Sequence, residues 1–200
     1  MHAALEGRPV DMTPVAPLFW GAEYRWKLTG LSIWEVLHGP GDMTMKLAEA
    51  LDDRHASDWV FLTHTSSHAL LGKSLSREDR AHIYFTDDAT GNILPFLDTI
   101  SKMGYDAILP EERIKGVEID IAEVRKALGP DACIFTNFDS YLLLDGDRGK
   151  IASEVKRQVR EAGPKSMVMS TGSPVCDATD PDVLDFWIAA TRGAVCGDHI

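Results

Sequence analysis

Asp120-Ile-Ala-Glu-Val-Arg-Lys-Ala-Leu-Gly-Pro-Asp-Ala-Cys-Ile-Phe-Thr136 holds one full unit of the pattern that decides the fold. Asp120 and Glu123 form a capping-box-like pair at a helix start. Ile121, Val124 and Leu128 share one helical face, and Gly129 stops the helix. Ala132–Thr136 then reads as a short apolar strand. The same beat runs through the second half of the chain. Strands are expected at His82–Thr86, Tyr105–Leu109, Ala132–Thr136 and Ser166–Ser170, and helices at Asn92–Met103, Asp120–Leu128, Lys150–Ala162 and Asp180–Arg192. Asn92 is the expected cap of the first helix, and Asp180-Pro181 starts the last.

Strands alternating with helices of this length demand a parallel sheet with right-handed crossovers. Thr13–Phe19 and Asp58–Leu62 add two candidate strands, for six in all. A closed (β/α)8 barrel needs eight strands and usually about 250 residues. The expected fold is therefore α/β, a parallel (β/α) TIM-barrel-like sheet that is incomplete, in one domain over residues 1–200. Residues 1–57 are read as an N-terminal arm packing on a barrel part at 58–200. Open sheet edges would need a cover, and a homodimer is one way to supply it.

Composition narrows the function classes. The net charge of −11 argues against nucleic acid as a partner, because phosphate binding needs clustered Lys and Arg. The three cysteines, Cys133, Cys176 and Cys196, are too few and too odd in number for a disulfide framework. No stretch approaches the roughly 20 apolar residues of a membrane span, and the first residues do not read as a signal peptide. A cytoplasmic protein acting on a small molecule is the expectation.

In a parallel sheet the chemistry collects just past the strands. Asp87, Asp88 and Asn92 follow one strand, and Glu111, Glu112 and Arg113 the next. Asn137 and Asp139 follow the third, and Thr171, Ser173 and Cys176 the last. Such a set holds a divalent metal or supplies paired carboxylates for acid–base work. Helix capping is the competing reading of each Asp and Asn. His64 and His68, spaced i, i+4, suit zinc if they lie on a helix, with Cys176 as a third donor, and otherwise are loop histidines. The aromatics Trp20, Tyr24, Trp26 and Trp34 either line a flat pocket or pack the arm onto the barrel.

Four stretches in the later part of the chain, and an N-terminal arm, resemble the uroporphyrinogen decarboxylase superfamily, which includes the corrinoid-dependent methyltransferases. Thr90-Gly-Asn-Ile-Leu-Pro-Phe-Leu-Asp98 resembles its Cys-Gly-Asn segment, and Met103-Gly-Tyr-Asp-Ala-Ile108 the strand that follows. Asp120–Gly129 with Thr136-Asn-Phe-Asp139 resembles its "Asp-Leu … Gly-Asn-Leu-Asp" unit. Ser170-Thr-Gly172 with Asp180-Pro181 resembles its last strand and helix, and Pro14-Val-Ala-Pro-Leu-Phe with Leu31–Leu51 its N-terminal arm. The family carries more central strands, between about Leu62 and Ala81, so this chain looks like both ends of such a barrel. The methyltransferases' His-x-Cys zinc pair falls on Asp88 and Thr90, and their later Cys on Ser173, with Cys176 three residues on.

The resemblance implies an enzyme with a corrinoid-linked methyl-transfer (demethylation) role on a small methylated substrate. Zinc and a corrinoid carried by a partner protein are the implied cofactors. Asp88, Asn137 and Asp139 are the implied catalytic set, and Tyr24, Arg25, Asn92 and Glu111 the substrate-binding set. Cys176, His64 and His68 are the implied metal donors. The first alternative is uroporphyrinogen decarboxylase itself, a lyase of porphyrin biosynthesis. Its arginine-rich arm, however, is matched here by Phe19-Trp-Gly-Ala-Glu-Tyr-Arg25, with one Arg. The second alternative is a non-catalytic barrel remnant or subunit.

Overall fold

The computed structural model describes residues 2–18, 22–32, 35, 46, 49–51, 53–58, 86–89, 91–103, 105–112, 116–163 and 165–194. Five strands lie among them: β1 (Val15–Ala16), β2 (Thr86–Ala89), β3 (Ala107–Pro110), β4 (Cys133–Phe135) and β5 (Met167–Ser170). They form one sheet in the order β1-β5-β4-β3-β2, and every pairing is parallel. The helices are α1 (His2–Leu5), α2 (Ala22–Thr29), α3 (Leu97–Ser101), α4 (Ile121–Leu128), α5 (Ser140–Asp145), α6 (Arg148–Ala162) and α7 (Pro181–Ala194). A further helical stretch ends at His55.

The strand order follows the chain from β2 to β5 and then returns to β1. Val15 is in register with Met169, and Ala16 with Ser170. A first strand lying beside the last is how a barrel closes. The sheet is thus an arc of adjacent parallel barrel strands, with β1 built into it. Six strands were expected. The segment 59–62 of the candidate at Asp58–Leu62 lies outside the described residues. Asp58 itself faces β1: its N–H donates to Val15 O at 2.9 Å, and its carboxylate accepts from Val15 N at 2.9 Å.

Side chains alternate across the sheet, as the pleat requires. Val15, Ile108, Ile134, Met167 and Met169 face one cluster, shared with Ile121 and Val124 of α4, Ile151 and Val155 of α6, and Leu184, Trp187 and Ile188 of α7. Ala16, Ala107, Leu109, Cys133, Phe135 and Val168 face the other, which Ala4 and Leu5 of α1 join. Cys133 is therefore core.

Local signals explain most helix ends. Asp120 caps α4 by accepting from Ala122 N at 2.9 Å, and Gly129 ends it at φ 85°. Asp147 caps α6 by accepting from Gly149 N and Lys150 N, so α6 starts two residues before the expected Lys150. Two expectations are corrected. The strand at His82–Thr86 is observed at Thr86–Ala89, because main-chain pairing with β3 runs through Asp87 and Asp88 regardless of their side chains; residues 82–85 lie outside the described residues. The helix at Asn92–Met103 is shorter and has no Asn92 cap. Pro95, with no N–H to donate, sits in the first turn, and the chain makes a 3-10 turn over Leu94–Phe96 that runs directly into α3.

One cation ties the end of the sheet where the strands begin. The Arg125 guanidinium donates to Gly129 O at 2.8 Å, Ala132 O at 2.6 Å and Ser166 O at 3.0 Å, and also to Ala162 O. It thereby joins the last turns of α4 and α6 to the starts of β4 and β5. Partial burial lowers its pKa, yet a guanidinium stays charged. Removing it leaves these carbonyls short of a charged donor. Arg125→Ala is expected to lower unfolding stability by about 3 kcal/mol, read from the urea midpoint. Arg125→Lys should recover only part, because an ammonium lacks the planar fork.

Candidate functional site

The parallel sheet brings the ends of β3, β4 and β5 to one place. Past β3 lie Glu111 and Glu112; past β4, Asn137, Asp139 and Ser140; past β5, Thr171, Gly172, Ser173 and Cys176. Glu112 is the centre of the group. It is 5% exposed, and its carboxylate accepts from Ser140 N at 2.7 Å and Ser140 Oγ at 2.7 Å. Burial raises its pKa from the ordinary 4.5 to about 7, against the lowering effect of hydrogen bonds from Ser140 and Ser173. The nearby Asp139 charge pushes the same way as burial. Glu112 therefore changes protonation near neutral pH.

Backbone contact holds this carboxyl in place. A Cβ on Gly172 would lie 2.5 Å from Glu112 N and 2.9 Å from the Cβ atoms of Asn137 and Glu112. Only glycine lets the β5 and β3 tips approach so closely. Gly172 N also donates to Phe138 O at 3.1 Å.

The other expected residues take different places. Asn137 is buried; its amide donates to Ile119 O at 2.7 Å and Glu111 O at 3.4 Å and accepts from Gln158 at 3.1 Å. It stitches the loop after β3 to β4 and α6. Asp139 caps α5, accepting from Tyr141 N at 2.9 Å, and its half-exposed side chain lines a cleft. Glu111 accepts from Gly91 N at 2.8 Å, joining the β3 and β2 tips. Cys176 Sγ lies 4.0 Å from Ser140 Oγ, and burial with the Glu112, Asp177 and Asp139 charges holds its thiol above the ordinary pKa.

Tyr24 does not join this group: it is buried at 1% exposure with its hydroxyl on His55. Asn92 is exposed and stands apart. Asp88 lies within β2, in register with Leu109; its side chain, that of Arg25, and all of His64, His68, Thr90 and Arg113 lie outside the described residues. Among the described residues no three His, Cys, Asp or Glu side chains are placed to hold a metal ion.

A cleft of about 350 Å³ opens beside Glu112, Asn137 and Asp139. Glu118, Asp120, Glu154 and Arg157 also line it. Arg157 is engaged, with Glu154 at 2.6 Å and with Glu161. Among the described residues carboxylates thus dominate the opening. The sequence marks Glu111 as the binding glutamate and gives no sign of Ser140, Glu154 or Arg157. Adjacent glutamates give no signal of which is buried. Glu154 and Arg157, on the α6 stripe's flank, look like solvent-facing helix residues.

The uroporphyrinogen decarboxylase family profile matches residues 72–194. The chain belongs to this family. Its curated relatives include the uroporphyrinogen decarboxylase of Gloeobacter violaceus, 34% identical over 74 residues, which are 37% of this chain and 21% of that protein. The uroporphyrinogen decarboxylase of Myxococcus xanthus is 36% identical over 70 residues, 35% of this chain and 20% of that protein. The aligned stretch thus spans about a fifth of each of these relatives. Among solved structures, a methyltransferase from Methanosarcina mazei matches with a TM-score of 0.69 at 13% identity, covering 94% of this chain and 96% of that one. That likeness shows the shared fold. No helix among the described residues is long and apolar enough to cross a membrane.

Two measurements check the site. Gly172→Ala should lower stability by roughly 1–3 kcal/mol, since a backbone N–H stands where the methyl group would go. Glu112 is neutral in the folded chain and ionised in the unfolded chain between about pH 4.5 and 7. Its contribution is therefore present below pH 4.5 and is lost as pH rises through 7. Glu112→Gln should gain stability relative to the parent chain over that rise, by a few kcal/mol at most, in urea titrations at several pH values.

Proposed function

We propose that this chain takes part in methyl transfer, removing a methyl group from a small methylated substrate, with a corrinoid on a partner protein as acceptor. The observation that carries the reading is Glu112, a buried carboxyl that is half protonated near neutral pH and borders the cleft. When a methyl group leaves an oxygen or an uncharged nitrogen, the atom left behind needs a proton. Glu112 supplies it as a general acid, and Ser140, bonded to both of its oxygens, fixes its direction. The leaving group departs as the neutral alcohol or amine, and Glu112 regains its proton from water.

The charge at the opening supports the same reading. A porphyrinogen carries several carboxylate arms, and these would meet Glu118, Asp120, Asp139 and Glu154. Arg157, already paired with Glu154 and Glu161, offers little compensation. A neutral methylated compound meets no such repulsion. A docked corrinoid protein would find apolar Tyr141 and Leu144 exposed on α5, next to Asp139 and Leu142 at the cleft. The corrinoid supplies the methyl-accepting centre. Of the expected zinc donors only Cys176 lies among the described residues, with Ser140 Oγ 4.0 Å from its Sγ, and the described residues do not by themselves make a zinc site.

The test is an assay of methyl transfer from methanol, methylamines and aryl methyl ethers to a reduced corrinoid, run beside a uroporphyrinogen decarboxylation assay. Transfer should slow as pH rises above about 7, where Glu112 loses its proton. Glu112→Gln should lower kcat by about 10²-fold or more with little change in KM. Decarboxylation without methyl transfer, or full activity in Glu112→Gln, would sink the proposal.

A further inference from the structure

A second buried polar group lies away from the cleft, where the N-terminal segment meets α7. His55 ends the helical stretch that precedes Asp58, and its side chain is fully enclosed. His55 Nδ1 lies 2.7 Å from Asp185 Oδ1 of α7. A carboxylate only accepts, so Nδ1 carries the proton and Nε2 accepts from the Tyr24 hydroxyl of α2 at 2.8 Å. The two rings stack with centroids 5.9 Å apart.

Among the described residues the charges around this imidazole disfavour another cation. Asp185 also binds Arg54 at 2.8 Å, and Arg54 in turn binds Asp182 at 2.6 Å. The carboxylate that faces His55 is thus already shared with a guanidinium. Asp180 faces Tyr24 from the start of α7. Burial lowers the proton affinity of His55, with Arg54 acting the same way, against the pull of Asp185. Tyr24 stays a hydroxyl, because burial and the nearby Asp185 raise its pKa well above the ordinary value.

Tyr24 reaches the site side as well. Its backbone N–H donates to Asp177 Oδ1 at 3.4 Å, and Lys27, also on α2, donates to Asp177 O at 2.6 Å. Asp177 follows Cys176. One residue of α2 therefore touches both His55 and the segment that carries the site's thiol.

We propose that the Tyr24–His55–Asp185 chain is a pH-sensitive latch, in which proton uptake at His55 Nε2 releases α2 from α7 and loosens the Asp177 segment beside Cys176. The proton comes from solvent, and no covalent bond forms or breaks. Once Nε2 bears hydrogen, the Tyr24 oxygen must accept where its hydroxyl had donated. A positive ring then stands enclosed beside Arg54. The unfolded or opened chain takes up this proton near pH 6.5, and the closed chain only at lower pH. The closed state therefore loses ground as pH falls below about 6.5, by at most tenfold per pH unit for one proton. This holds whatever reaction the cleft performs.

Hydrogen exchange of the whole chain at pH 7.5 and 5.5, corrected for the intrinsic pH dependence of exchange, tests the latch. Residues 22–29 and 171–179 should lose protection several-fold at the lower pH while α6 keeps its own. His55→Gln, neutral at both pH values, should abolish the step. Tyr24→Phe should leave residues 22–29 weakly protected at both. An equal loss throughout α6, or an undiminished step in His55→Gln, overturns the latch. If His55→Gln fails to fold, an undiminished step in Tyr24→Phe does the same.

Discussion

Strand β5 is the element on which the arrangement rests, because it pairs in parallel on both sides. It holds β1, from the start of the chain, and β4, its neighbour in sequence. Side chains reinforce the ladders: Ser170 Oγ donates to Ala16 O at 2.7 Å, and Thr136 Oγ1 to Ser170 O at 3.2 Å. Leu18 N, just past β1, donates to the Thr171 hydroxyl at 3.2 Å. Parallel pairing sends every described strand the same way, so their polar exits share one end. It also fixes which residue of each strand faces α4, α6 and α7, and which faces Ala4 and Leu5. Slipping β5 by one residue would exchange Met167 and Met169 with Val168 and turn both clusters inside out.

Opposed terms set the chemistry of the cleft. Burying Glu112 favours the neutral acid, and the Ser140 and Ser173 donors favour the carboxylate. Burial wins, and the balance falls near neutrality, where a proton can be given and taken back. The geometry that keeps water away rests on Gly172, since any side chain there would prise the two loops apart. Cys176, under the same negative field, is held as a thiol rather than a thiolate. The poised carboxyl is what the methyl-transfer proposal rests on. The carboxylate lining of the cleft gives the reason to prefer it over work on a polyanion.

The elements were legible where local chemistry decides them. Asp120, Asp147 and Asp180 cap their helices, each accepting from a backbone N–H of the first turn. The apolar stripes of α4 and α6 face the sheet as their spacing predicts. Local signals mislead where neighbours intervene. The helix after β2 starts later than its apolar spacing predicts, in a 3-10 turn that holds Pro95, and pairing with β3 drew Asp87 and Asp88 into a strand. Helix α5 leaves little trace in the sequence, because Ser-Tyr-Leu-Leu-Leu-Asp is short and its cap, Asp139, is equally a catalytic candidate.

The candidate site was legible only in outline. Asn137, Asp139 and Cys176 were placed near one end of a parallel sheet, and there they lie. Tyr24 was grouped with them but turns to His55, because a helix can present a given residue to either neighbour. Periodicity, caps and charge belong to residues close in sequence, and from them the chain alone determined its alternating α/β plan and the end of the sheet where polar groups gather. Which glutamate is buried, which aspartate merely caps a helix and which histidine is shielded from water were decided only by tertiary structure. Burial and charge pairing depend on atoms far apart in the chain: Glu112 on Ser140 and Gly172, His55 on Tyr24 and Asp185.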